Sequence, residues 1–192
     1  MTNGPDPILI AAIAAVVVVV AAIALSYNRF IRQRQLIRNS WSTIDTELRR
    51  RYDLIPNLVE TVKGYAAHEK DLLERVTAAR SAALASTGRP GEQAAAERPL
   101  VDGLRGLLAV AESYPGLKAS AHFLELQREL ANTEDRLAAA RRFYNNNVRD
   151  YNRRVQSFPS MIMARIFSFG EEDYFEVEEA LRSAGAPRAG LS

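Results

Sequence analysis

Few side chains in this 192-residue sequence can make or break bonds, and their spacing suits no known catalytic arrangement. His68 and His122 are the only histidines and there is no cysteine, so a set of zinc ligands cannot be assembled. His68-Glu69 lacks the second histidine one helical turn on that a zinc-protease helix needs, and no G-x-S-x-G, P-loop or G-x-G-x-x-G run occurs. The expectation is a protein that is not an enzyme and carries neither metal nor cofactor. The informative polar residues are those set on otherwise apolar helical stripes. Arg51 and Glu69 interrupt two seven-residue stripes in the first half. Glu134, Arg141, Asn145 and Asn152 follow one another at seven-, four- and seven-residue steps, so they lie near one helix face. One reading makes these six an internal polar layer in which carboxylates and amides meet arginines across a helix interface and set register. The other leaves them solvated at the core edge, where a pair is worth ~0.2–1 kcal/mol.

The elements that position them are helices. From Ser26 to Ala85 one stripe is Trp41, Leu48, Ile55, Val62, Glu69, Val76, Ala83; the second is Ile37, Ile44, Arg51, Leu58, Tyr65, Leu72, Ala79. Twelve of these fourteen positions are apolar against 47% hydrophobic residues overall, which predicts one long amphipathic helix. Pro56 lies inside it and removes a backbone hydrogen bond. A continuous, kinked helix preserves the register; the alternative is a fresh helix capped by Asp53. Ser86–Pro99 reads as a linker, Pro99 as the opening of a helix carrying Val101, Leu104, Leu107, Leu108 and Ala111, and Tyr114-Pro115-Gly116 as its end. Gly103-x-x-Gly106 within that helix reads as close packing. A last long helix is expected from about Leu117 to Phe158, with Phe123, Leu130, Leu137, Tyr144, Tyr151 and Phe158 at every seventh residue, ended by Pro159. The apolar run that follows, with Met161, Ile162, Ile166, Phe167 and Phe169, is too short to span a bilayer. It is expected to cap the bundle, the alternatives being a place on the membrane surface or on a partner.

Ahead of all this stand eighteen uninterrupted apolar residues, Ile8–Leu25. As a helix they extend about 27 Å, close to the ~30 Å of a bilayer core. Tyr27 and Phe30 fall where an interfacial aromatic belt belongs, followed by Arg29, Arg32, Arg34 and Arg38. A cleaved signal peptide would carry basic residues before its apolar run; residues 1–7 hold only Asp6. A retained single span is therefore expected. The arginines after it place the short tail outside and the bulk of the chain in the cytoplasm, with the span in the cell (inner/cytoplasmic) membrane. With 25 basic and 23 acidic residues the net charge is +2, which speaks against wholesale nucleic-acid binding. The basic stretch from Arg29 to Arg51 either fixes topology or meets anionic lipid. Acidic residues gather near the end, from Glu171 to Glu179.

Several runs resemble the LemA family: Trp41-x-x-Ile44-Asp45, Arg50-Arg51-Tyr52-Asp53-Leu54-Ile55-Pro56-Asn57-Leu58-Val59, and Val62-Lys63-Gly64-Tyr65-Ala66-x-His68-Glu69. So do Glu129-Leu130-Ala131-x-Thr133-Glu134-x-Arg136-Leu137, Ala140-Arg141-Arg142-Phe143-Tyr144-Asn145, Tyr151-Asn152 and Phe158-Pro159-Ser160. The resemblance covers about residues 28–178. It implies a mostly bacterial, single-pass membrane protein with a cytoplasmic bundle of about four helices and no established catalytic site. It also points to relatives tied to organelle-like membranes of magnetotactic cells or found near membrane proteases.

Pattern and resemblance together predict an all-α chain: an extracytoplasmic tail at 1–7, a transmembrane helix at 8–27, an elongated up-and-down bundle at 28–178 with two long helices, and a flexible tail at 179–192. The expected role is a membrane-anchored scaffold or adaptor presenting a coiled-coil-like bundle to protein partners or to a second copy. Trp41 and the Met161–Phe169 segment are its candidate contact surfaces. The alternatives are membrane remodelling or lipid sensing through the basic juxtamembrane segment, and regulation of a membrane protease.

Overall fold

A computed structural model describes residues 7–86 and 88–176. Of the expected tail at residues 1–7 only Pro7, the first residue of a helix, is described, and the expected tail at 179–192 lies outside the described residues. Among those described the chain is all helix, turn and irregular backbone, without a strand. In order come α1 (Pro7–Tyr65), α2 (Lys70–Ala85), α3 (Pro90–Ser113), the single turn α4 (Pro115–Lys118), α5 (Ala121–Gln156) and the short α6 (Ser160–Ile166). The chain forms two compact units, one of Met1–Asn39 with Asn146–Glu172 and one of Ser40–Asn145 with Asp173–Ser192.

The larger unit is an up-and-down bundle of α1, α2, α3 and α5. Each neighbouring pair is fixed by contacts that run in opposite senses. Arg80 on α2 reaches back to Tyr52 on α1. Gly103 and Gly106 on α3 face Val76 and Leu72 on α2. Glu134 and Tyr144 on α5 meet Arg51 and Trp41 on α1. The heptad stripes supply the core: Ile44, Leu48, Ile55, Leu58, Val62, Val76, Leu100, Leu104, Leu107, Leu130 and Tyr144 are all buried. The two glycines let α2 and α3 approach closely. A Cβ at Gly103 would lie 2.9 Å from Val76 Cγ2, and one at Gly106 3.2 Å from Leu72 Cδ1.

Pro56 leaves α1 unbroken. The proline has no N–H for the Tyr52 carbonyl four residues earlier, and the Arg80 Nε–H supplies one instead at 2.7 Å. The expected single helix from Ser26 to Ala85 is nevertheless two. It stops at Tyr65, just after Gly64, and a turn closed by Ala66 N–H to the Val62 carbonyl (2.8 Å) and Glu69 N–H to Ala66 (3.1 Å) reverses the chain into α2. Leu72, Val76 and Ala83 stay buried after the reversal, so the stripe continues in sequence although the helix does not. Tyr65, counted on that stripe, is half exposed.

The expected linker Ser86–Pro99 is shorter. α3 begins at Pro90, and the Glu92 carboxylate accepts the Arg89 backbone N–H at 3.2 Å. Pro99 sits inside α3, not at its start. Its exposed position lets water reach the carbonyl it strands, while the alanines at 94–96 favour helix. α5 likewise starts later than expected, at Ala121, and ends at Gln156. Phe158, the last residue of its aromatic stripe, is 78% exposed beyond the helix end.

The smaller unit holds the apolar start of α1, the last turns of α5, and α6. Its apolar window has mean hydropathy 3.3 and none of its residues is buried, unlike the mostly buried core helix of a soluble protein; by length and composition it can cross a membrane. Phe30 departs from the expected belt: it is fully buried, stacked on Phe169 at 4.7 Å and edge-on to Tyr151 at 6.0 Å. Tyr27 is partly exposed and packs on Phe167 and Phe169.

Candidate functional site

α1 carries Arg51 on a core stripe, and the surrounding helices close over it until 1% of its side chain is exposed. A guanidinium so placed costs several kcal/mol unless it is paired. Its Nη1 lies 3.0 Å from Glu134 Oε1 on α5, and its Nη2 donates to Glu97 on α3, itself 0% exposed. The neighbouring Tyr52 hydroxyl donates to the other oxygen of Glu97. Gln93, one turn earlier on α3, shares its amide hydrogens among Glu97 Oε1 (2.8 Å), the Tyr52 hydroxyl oxygen (3.1 Å) and the Ala83 carbonyl on α2 (3.1 Å). One buried cluster thus ties α1, α2, α3 and α5.

Its electrostatics are those of a closed structural pair. Burial alone would lower the basicity of Arg51, but the carboxylates of Glu134 and Glu97 outweigh it and raise its pKa above the ordinary arginine value. Burial first, and Glu97 second, push the Tyr52 hydroxyl well above its ordinary 10, so it stays a donor. Arg51 and Glu97 are sealed from solvent, which suits holding helices together rather than receiving a substrate.

Two of the six expected layer residues, Arg51 and Glu134, are brought together here. Glu69 is not part of the cluster: it stands at the N-cap of α2, partly exposed. Arg141 is half-buried on α5. The two asparagines do something else. Asn145 donates through Nδ2 to the Phe175 carbonyl (3.1 Å) and accepts the Phe175 N–H at Oδ1 (3.0 Å). In the other unit Asn152 treats Glu172 identically, at 2.9 Å for both bonds. A carboxamide is the side chain that offers one donor and one acceptor side by side, so each asparagine pairs with the N–H and carbonyl of one backbone residue as a neighbouring strand would. Tyr144 adds a bond to the Asp173 carbonyl at 2.8 Å.

Glu97, Gln93, Tyr52 and Arg80 were not singled out from the sequence. The signal for two of them was present: stepping back from Ala111, Leu107, Leu104 and Leu100 by threes and fours lands on Glu97 and Gln93.

Of the expected membrane-proximal cations, Arg29, Arg32 and Arg38 are exposed, whereas Arg34 pairs with Glu172 at 3.5 Å and lies over the Phe169 ring. Trp41, a candidate contact residue, instead packs on Tyr144 and Phe175, with ring centres 5.5 and 5.3 Å away. In the Met161–Phe169 segment the outcome is divided. Phe169 is buried, Met161 partly so, and Ile162, Ile166 and Phe167 are 46%, 63% and 41% exposed. Among the described residues no group of three or more His, Asp or Glu could hold a metal ion.

Comparison with known proteins adds a family. The family model described as LemA family matches residues 40–187. Protein LemA of Metamycoplasma hominis is 26% identical over 156 residues, 81% of this chain and 71% of that protein. Magnetosome protein MamQ 2 of Paramagnetospirillum magneticum is 24% identical over 93% of this chain and 75% of its own length. Magnetosome protein MamQ of Magnetospirillum gryphiswaldense is 23% identical over 94% and 76%.

Proposed function

The chain belongs to the LemA family, and from that premise we propose that it is a membrane-anchored, non-catalytic helical scaffold or adaptor. The apolar start of α1 is the single span, and the bundle lies on the cytoplasmic side, where the arginines after the span belong. One observation carries this reading: an apolar segment none of whose residues is buried continues, within the same 59-residue helix, into residues that build a bundle core. The names of its relatives, two of them magnetosome proteins, fit a protein that works at a membrane. The internal pairing of Arg51, Glu97 and Glu134 supports a structural use of the buried charges, leaving the exposed faces of the bundle for partners or a second copy.

The test is in-cell photocrosslinking from exposed bundle positions such as Glu125 and Arg128, read by mass spectrometry, beside protease treatment of intact cells. Recurrent crosslinks to one protein, or to the chain itself, on an externally protected bundle are expected. Digestion of the bundle from outside reverses the topology. Crosslinks scattered over abundant proteins remove the scaffold role.

A further inference from the structure

The charges of the chain are divided unevenly. The unit of Met1–Asn39 with Asn146–Glu172 holds eight arginines against four carboxylates, net +4; the chain total of +2 leaves the other unit at −2. Three of those four carboxylates are described and already engaged: Glu172 with Arg34, Glu171 with Gln156, Asp150 with Arg153. Among the described residues Arg29 and Arg154 have no such partner. Arg154 lies over the Phe30 ring at 5.9 Å with its Nε buried and without a hydrogen-bond acceptor. Burial first, then Arg29 and Arg153, lower its pKa, and Asp150, which pairs with Arg153, offsets this only in part.

The same unit exposes apolar side chains where a water-facing surface would not. Ile162 and Ile166 lie one turn apart on α6, and with Phe158 and Phe167 they form a run that is 41–78% exposed. This run does not stand apart from the span. Pro159, Ser160, Ile162 and Met163 line a groove of about 280 Å³ whose opposite wall is Val19, Ala22, Ile23 and Ser26 of α1. Those are the last turns of the apolar segment, so a bilayer that covers them covers the groove and the outer face of α6 as well. Arg29 follows Ala22 and Ser26 at i+7 and i+3, on the same helix face. Arg154 is tied to the start of α6 through its own carbonyl, which accepts the Ser160 hydroxyl at 2.7 Å.

We infer that the 158–167 segment is a second membrane-contacting element which, with Arg29 and Arg154, holds an anionic phospholipid against the cytoplasmic end of the span. An acyl chain occupies the groove between α1 and α6, Phe158, Ile162 and Ile166 enter the boundary between headgroups and hydrocarbon, and the phosphate meets the two guanidinium groups. Continuity with the span and complementarity of charge select a lipid as the occupant over a second copy of the chain. The inference rests on the membrane-anchored reading above and adds to it a lipid class and a depth.

The native chain has no cysteine, so single nitroxide labels can be placed at Ile162→Cys, Ile166→Cys, Ile13→Cys and Glu125→Cys in the full-length protein. Each is reconstituted in nanodiscs of phosphatidylcholine with a minor fraction of phosphatidylglycerol. Labels at 162, 166 and 13 are expected to collide with oxygen but not with a water-soluble nickel chelate, and the label at 125 with the chelate. If 162 and 166 behave like 125 while 13 stays protected, this inference is wrong and the anchor stands. If 13 is also open to the chelate, the anchor reading itself falls. Protection of 162 and 166 from both quenchers means they are buried in protein, which overturns the lipid as occupant.

In the second arm, phospholipid retained by the detergent-extracted protein is counted. Enrichment of phosphatidylglycerol should drop about five-fold for each arginine lost in Arg29→Gln and Arg154→Gln. It should survive in the Arg29→Lys/Arg154→Lys protein, which keeps the charge and controls for folding. Unchanged enrichment in the glutamine variants refutes the headgroup site.

Discussion

Arg51→Met is the sharpest perturbation available in this molecule. Methionine fills much of the same volume, so the variant removes a charge and its hydrogen bonds while opening little space. What it leaves is two carboxylates, Glu97 at 0% exposure and Glu134 at 17%, facing each other with no cation between them. Breaking a buried pair by deleting one partner costs about 3–5 kcal/mol, because the survivor remains buried and uncompensated. For a chain of this size each kcal/mol lowers the unfolding midpoint by about 2–4 °C, so a fall of roughly 6–20 °C is expected. Thermal unfolding of the full-length protein in detergent micelles, followed by far-ultraviolet circular dichroism, reads it directly. A double-mutant cycle sharpens the claim. Coupling of Arg51→Met with Glu97→Gln should exceed ~2 kcal/mol, whereas coupling with Glu134→Gln should stay near ~1 kcal/mol, since water screens the partly exposed partner. A midpoint within 2 °C of the parent, or strict additivity of Arg51→Met with Glu97→Gln, would refute the argument that this cluster is buried and mutually dependent.

Three further outcomes follow from other contacts. Asn152→Asp keeps the acceptor for the Glu172 N–H but replaces the donor with a second oxygen facing the Glu172 carbonyl; a loss of about 1–3 kcal/mol should appear as faster amide exchange around residue 172, and unchanged exchange would count against the clamp. Arg80→Met strands the Tyr52 carbonyl that Pro56 cannot serve, so it should destabilise the parent by about 1–3 kcal/mol but much less in a Pro56→Ala background, with equal losses in both refuting the substitution of one donor by the other. Tyr52 has its pKa raised above the unfolded value near 10 by burial and by Glu97, so the native state keeps a proton that the unfolded chain releases. Its contribution is complete below pH 10 and declines above it by up to about 1.4 kcal/mol per pH unit; Tyr52→Phe should flatten that alkaline decline, and parallel curves for the two proteins would remove the effect.

Periodicity made the long elements readable and hid where they end. The stripes through Ile44, Leu48, Ile55, Leu58 and Val62 are the core face of α1, and those through Leu130, Leu137 and Tyr144 are that of α5. The reversal after Tyr65 leaves no mark in the pattern because the buried set resumes in phase at Leu72 and Val76 and no proline stands at the turn. Pro99 resembles a helix start because it and Ala95, four residues earlier, are exposed, so the missing hydrogen bond asks for no compensation that a sequence would display. Pro56 asks for one, and the answer, Arg80, sits 24 positions away on another helix. Glu97 was lost with the supposed linker, although the stripe from Leu100 onward, stepped back by threes and fours, runs through it. Arg51 and Glu134 were legible as exceptions on apolar stripes, yet which residue each would meet depends on the packing of α3 and α5, which no local pattern encodes.

A bundle held by heptad stripes has a weakness that the buried charges correct. Sliding one helix by seven residues leaves apolar residues facing apolar residues, so hydrophobic burial discriminates poorly between registers. The cluster does not tolerate such a slide. A seven-residue shift of α5 replaces Glu134 by Arg141 or Gln127 opposite Arg51, and a shift of α3 replaces Glu97 by Leu104 or Pro90. Each alternative buries the Arg51 charge against a like charge, an amide or hydrocarbon, at a cost of several kcal/mol. The pairing need add little to the stability of the correct register, since its effect falls on the wrong ones. Replacing all three residues, as Arg51→Met/Glu97→Leu/Glu134→Leu, should therefore give a bundle at least as stable as the Arg51→Met protein but one that no longer holds a single alignment. Cysteines at position 41 with 144, which pack together natively, or at 41 with 137, one heptad away, distinguish the registers. The parent should crosslink through 41 and 144 alone, the apolar triple variant through both pairs, and a triple variant that crosslinks only through 41 and 144 would show that the stripes fix register without the charges.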